Sequence, residues 1–185
     1  MIYNTVIKGG INTIDGSLTT LERIHHAAKA EFLKKGFQAA QLKDIVAAAK
    51  VTTGAVYRHF KDKEALFFAL IEDVYHYTLD FLDNVESYDT VGIKEAIERD
   101  SIESSYMQAM KYVNYMYEHF EEYQLLLKYS KGSRVENFIE EIADQYTKQN
   151  AQFVKAAYEA GYAKCLPSDI EIHILTHGYI TALCE

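Results

Sequence analysis

The sequence predicts an all-α protein, with an N-terminal three-helix head and a larger C-terminal helical body. Three observations carry this. One proline and nine glycines in 185 residues are too little punctuation for a chain of short strands and turns. Apolar residues recur at spacings of three and four along most of the chain. No segment alternates apolar and polar residues between hairpin turns, and no repeat or low-complexity tract is present. With 49% apolar and 13% aromatic residues there is ample core material, which argues against disorder.

Residues 1–17 hold Gly9, Gly10 and Gly16 without a helical period and are expected to be a loose tail or an added remnant. Thr19 or Thr20 then caps a helix whose apolar residues Leu21, Ile24, Ala28, Phe32 and Leu33 keep the helical spacing. Gly36 is its natural stop. A short second helix groups Leu42, Ile45, Val46 and Ala49, and a third turns Val56 and Phe60 inward. Asp62 is placed to cap a long fourth helix through Leu66, Leu70, Val74, Tyr77 and Phe81. A break at Ser87 to Gly92 precedes helices expected over 93–117, 120–130, 134–161 and 168–185, the last opening at Pro167-Ser168-Asp169. The domain division that follows is a tail over 1–17, a head over 18–63 and a body over 64–185.

The formal charge of -8 hides an asymmetry. Between Leu18 and Leu66 nine Lys/Arg face five Asp/Glu, a net +4, while the 119 residues after Leu66 carry nine basic and 21 acidic groups, a net -12. Such a division lets the head engage phosphates while the body repels DNA. No apolar run is long enough to span a membrane, and Met1 to Ser17 lack the layout of a signal peptide. The two cysteines, Cys165 and Cys184, have no CxxC spacing, so they imply neither a disulfide framework nor a zinc finger. A cytoplasmic protein is expected.

Two short helices joined by a tight turn and packed on a preceding helix make a helix-turn-helix. In the second of them, Thr53, Ala55, Tyr57, Arg58 and His59 can project outward. Their hydroxyls, amines and methyl suit phosphates and base edges. The run from Val51-Thr52-Thr53-Gly54-Ala55-Val56-Tyr57-Arg58-His59-Phe60 to Lys63 and Leu66 is highly specific. With Arg23-Ile24, Ala27-Ala28, Phe32, Gly36-Phe37, Leu42, Asp44-Ile45 and Ala49 before it, it resembles the TetR family of one-component transcriptional repressors over residues 20–66.

The resemblance implies a head whose third helix enters the major groove. Thr52 and Thr53 would stand at the start of that helix, with Gly54 allowing close backbone approach and Ala55, Tyr57, Arg58 and His59 facing DNA. Lys63 would contact a backbone phosphate, as would Gln41 and Lys43 at the start of the second helix. Three departures stand out. Ala40 and Gln41 replace the usual Thr or Ser, Val46 replaces an alanine, and Lys50 replaces the turn glycine at a position that often needs positive φ.

The body is crowded with aromatic residues, and each tyrosine hydroxyl buried there needs a partner. Some are therefore expected at a cavity or interface, and the resemblance implies a small-molecule inducer site, for which Tyr106, Met110, Tyr115, Met116, Phe120 and Tyr146 are candidates. The acidic, tyrosine-rich body suits an aromatic or cationic ligand, with Glu103 or Glu118 as the nearest acids. The resemblance also implies a homodimer on a palindromic operator, dimerised through the last two helices. Only one helix clearly follows Pro167, so its residues Ile170, Ile174, Leu175, Tyr179, Ile180 and Leu183 are expected to pair, with the end of the preceding helix replacing a second element.

Other constellations are weaker. His25-His26 is expected to be a surface pair. His173 and His177 have the i, i+4 spacing of a metal pair without a convincing third ligand, so no metal and no cofactor is assigned. No nucleophile elbow, P-loop or HExxH occurs, so no enzyme is expected. The competing reading is an acidic helical ligand-carrier or interaction protein with a vestigial basic head.

Overall fold

A computed structural model describes residues 18–83 and 101–184. The tail over 1–17, the break at Ser87 to Gly92 and the start of the expected helix at 93 lie outside the described residues, as do the side chains of Glu103 and Leu183.

Among the described residues there are eight helices and no strand. The first, α1 (Thr20–Ala39), opens with a capping box: the Thr19 hydroxyl accepts from Glu22 N–H at 3.2 Å while the Glu22 carboxylate accepts from Thr19 N–H at 2.7 Å. Gly36 breaks its helical conformation at φ 74°, ψ 163°, a backbone region that residues with a Cβ avoid. Then come α2 (Leu42–Ala49) and α3 (Thr53–His59). Thr52 caps α3, its hydroxyl accepting from Ala55 N–H at 3.1 Å. Asp62 accepts from Ala65 N–H at 2.8 Å and starts α4 (Lys63–Asp83).

The body continues with α5 (Ser101–Glu118), α6 (Phe120–Lys128), α7 (Phe138–Glu159) and α8 (Asp169–Cys184). Ser168 and Glu171 form a second capping box at the start of α8. Two expected boundaries are corrected. The helix expected over 120–130 ends at Lys128, and the one expected from 134 begins at Phe138. Local polar bonds hold the intervening chain in turns: Glu136 accepts from Gly132 N–H at 2.8 Å, Ser133 Oγ from Val135 N–H at 3.3 Å, and Gly132 takes φ 87°. Gly161, at φ 82°, follows the end of α7.

One core runs through both parts. Phe67 meets Phe32 and Phe37 edge to face at ring separations of 5.0 and 5.1 Å. Burial continues through Leu70, Ile71 and Val74 of α4 to Leu125, Leu126, Phe138 and Ile142. Among the described residues no helix is long and apolar enough to cross a membrane.

Candidate nucleic-acid interface

Seven residues cannot hold a helix by themselves, so α3 depends on what it packs against. Val56 and Phe60 are buried in the core, which fixes the roll of α3 and turns its other face outward. Thr53, Gly54, Arg58 and His59 are exposed, Tyr57 is 54% exposed and Ala55 half-buried. The Thr52 hydroxyl accepts from its own helix and keeps its donor free. Gln41 and Lys43 are exposed at the start of α2, where Gln41 makes no side-chain cap.

The five acids between Leu18 and Leu66 are all held by partners within the molecule. Glu22 is held by Thr19, Glu31 and Asp44 by Lys35, Asp62 by the N-terminus of α4 and Glu64 by Arg134 N–H. Hydrogen bonds from Thr19 hold the Glu22 carboxyl below its usual range, and the Lys35 bond does the same for Asp44. Lys43, Lys50, Arg58 and Lys61 form no ion pair among the described residues. The head's surplus of positive charge therefore stays available to an external anion.

Lys63 is placed differently from its expected role. Its ammonium donates to the carbonyls of Phe37 at 2.7 Å and Ala40 at 3.1 Å and lies 4.4 Å from the centre of the Phe37 ring. It closes the C-terminal end of α1, where carbonyls lack helical partners. His25 is a correction. The expected surface pair is divided: His26 is exposed, while His25 packs its ring 5.5 Å from Phe60 with Nε2 buried and unpartnered. Burial, with His26, Lys29 and His59 nearby, pushes its pKa down. The signal was present in the sequence, since Leu21, His25, Ala28 and Phe32 follow one helical stripe.

Two of the body's tyrosine hydroxyls meet at Thr78. Thr78 Oγ1 lies 3.1 Å from the Tyr112 hydroxyl and 3.0 Å from that of Tyr123. Rings of α4 and α5 interleave, with Phe81 on Tyr112 at 4.4 Å and Tyr77 on Tyr115 at 3.7 Å. Burial pushes the hydroxyls of Tyr115 and Tyr146 up to about 12. Of the six candidate ligand residues, Tyr115, Met116 and Tyr146 are half-buried around this cluster, whereas Tyr106, Met110 and Phe120 are exposed. Glu118 is exposed too.

Two bridges join head and body: Tyr129 C=O accepts from Phe37 N–H at 2.8 Å, and Lys29 pairs with Glu122 at 2.5 Å. On α8, Ile170, Ile174, Leu175 and Tyr179 are exposed, but Ile180 is buried, which removes it from the expected pairing face. His177 Nε2 is 2.9 Å from Glu140, with the His173 ring 5.6 Å away. No cluster of three metal-ligating side chains occurs among the described residues.

Residues 24–70 match the family model described as bacterial regulatory proteins, tetR family. Among solved structures, a proposed fatty acid metabolism regulator of Clostridium perfringens aligns at 19% identity over 88% of this chain and 83% of that one, with a TM-score of 0.47. The matched residues take in most of α1, all of α2 and α3, and the first turns of α4. The matched stretch is the N-terminal head of a DNA-binding transcriptional regulator, similar to that of the tetR family of bacterial regulatory proteins.

Proposed function

We propose that the chain is a ligand-responsive repressor, released by a small-molecule inducer from a palindromic operator that it binds as a homodimer. The observation that carries this is the outer face of α3: Thr53, Tyr57, Arg58 and His59 exposed on a helix anchored by Val56 and Phe60, beside cations that form no ion pair among the described residues. In this reading residues 18–63 read DNA, residues 64–185 sense and dimerise, and no catalytic step is involved. Thr52, Gly54 and Ala55 complete the α3 surface, with Gln41 and Lys43 reaching the backbone from α2.

The exposed apolar face of α8 supports self-association, since Ile170 and Leu175 are each 71% exposed and stand with Ile174 and Tyr179. Two heads on a two-fold axis would occupy successive major grooves. The half-buried Tyr115, Met116 and Tyr146 make the aromatic cluster the effector seat that this reading favours. From there α6 reaches α1 through Glu122–Lys29 and Tyr129–Phe37. An inducer that prefers one arrangement of α6 would bias the spacing of the heads.

Enriching bound fragments from random duplex DNA tests this reading, followed by a salt titration on the enriched sequence. A palindrome bound with a steep salt dependence is expected. Absence of saturable duplex binding would overturn the reading in favour of a helical ligand carrier.

A further inference from the structure

Lys50 is the one non-glycine residue with positive φ among the described residues, at φ 54° and ψ 46°. This left-handed backbone is unfavourable for a residue with a Cβ and open to glycine. The turn is fixed from both sides. Lys50 N–H donates to Ala47 C=O at 3.2 Å, Val51 N–H to Val46 C=O at 3.2 Å, and Arg23 Nη1 reaches Lys50 C=O at 3.5 Å.

All these bonds use the backbone, so glycine would make them equally well. The Lys50 side chain is exposed and forms no ion pair among the described residues. The fold therefore keeps a strained, long, charged side chain that gives it no ion pair and no side-chain hydrogen bond among the described residues. Strain retained without an internal return points outward. Two residues later Thr52 caps α3, so the Lys50 ammonium starts from the edge of the exposed recognition face. Two acids of the head already have partners of their own: Glu22 is held by Thr19, and Asp44 by Lys35.

We propose that Lys50 is a phosphate-contacting residue that positions α3 on the duplex backbone. This rests on the DNA-binding reading above. The ammonium neutralises one phosphate per subunit and releases its counterions. It sets how the turn seats on the strand and carries no base information.

The test uses the full chain, its Lys50→Gly, Lys50→Asn and Lys50→Arg variants, and a labelled random-sequence duplex across a salt series. Lys50→Gly and Lys50→Asn suit the left-handed turn and lack the charge. Each is expected to weaken binding about three- to tenfold per subunit and to lower the salt slope by about one unit per subunit. Lys50→Arg should keep both. The thermal midpoint of free Lys50→Gly should equal or exceed that of the parent, because the strained backbone is relieved. Parental affinity and slope in Lys50→Gly and Lys50→Asn would overturn the proposal. So would a loss of affinity at unchanged slope, which marks a structural role. If the parent itself binds no duplex at any salt concentration, the DNA-binding reading falls too.

Discussion

The ammonium of Lys63, on the first turn of α4, donates to the carbonyl of Phe37 near the end of α1 at 2.7 Å. One side chain thereby ties the helix that supports α3 to the helix that leads into the body. The same ammonium is the one that the TetR resemblance offers to a phosphate.

Lys63→Ala should therefore act on stability first. Losing charge-assisted bonds to otherwise unpaired carbonyls costs about 1–3 kcal/mol, or roughly 2–4 °C in thermal midpoint per kcal/mol for a chain of this size. Melting of the free protein checks this. A parental melting curve together with a salt slope lower by about one unit would instead give Lys63 its phosphate.

Tyr57→Ala should do the reverse. The ring is 54% exposed on the outer face of α3, so its removal leaves the core intact and should weaken binding to the enriched operator by about tenfold, ~1.4 kcal/mol. Fluorescence anisotropy at one salt concentration reads the loss, and a melting curve checks that the fold survives. Equal affinity in mutant and parent would remove Tyr57 from the interface.

His25 should make the head sensitive to acid. Burial first, then His26, Lys29 and His59, lower its pKa in the folded chain from the ordinary 6.5. Below pH 6.5 the unfolded chain thus binds more protons than the folded one, and stability rises with pH there. The stabilisation is fully present above 6.5 and is lost as pH falls through and below that value. His25→Phe keeps a ring against Phe60 and removes the titration, so its melting curves between pH 5 and pH 8 should fall off less in acid than the parent's. Parallel curves would show that other groups carry the acid response.

Leu175→Glu should separate the subunits. Leu175 is 71% exposed beside Ile174 and Tyr179, and a two-fold axis would bring both copies of the change into one interface. Each buried leucine contributes about 1.5–3 kcal/mol, and a carboxylate in its place adds a desolvation cost. Sedimentation at micromolar concentration should show a dimer for the parent and a monomer for the variant. A monomeric parent would refute α8 as the pairing face.

By itself the sequence determined whatever is written in neighbouring residues. The helical stripe of α1, the start of α3 at Thr52 or Thr53, the inward Val56 and Phe60, the Asp62 start of α4 and the Ser168 opening of α8 are each settled within about one turn. The departure at Lys50 was legible for the same reason, because a left-handed turn is a property of one residue's backbone. Tertiary structure alone decided what the long side chains do. Lys63 meets Phe37 from 26 residues away, and Lys29 meets Glu122 from 93. Helical period says that a face is apolar without saying what covers it, which is why Ile180 lies buried and Leu175 does not. The tyrosines were countable in the sequence, but pairing their hydroxyls at Thr78 required bringing α4, α5 and α6 together. A hydrogen bond is set by distance in space, and chain spacing fixes that distance only within a turn or two of helix.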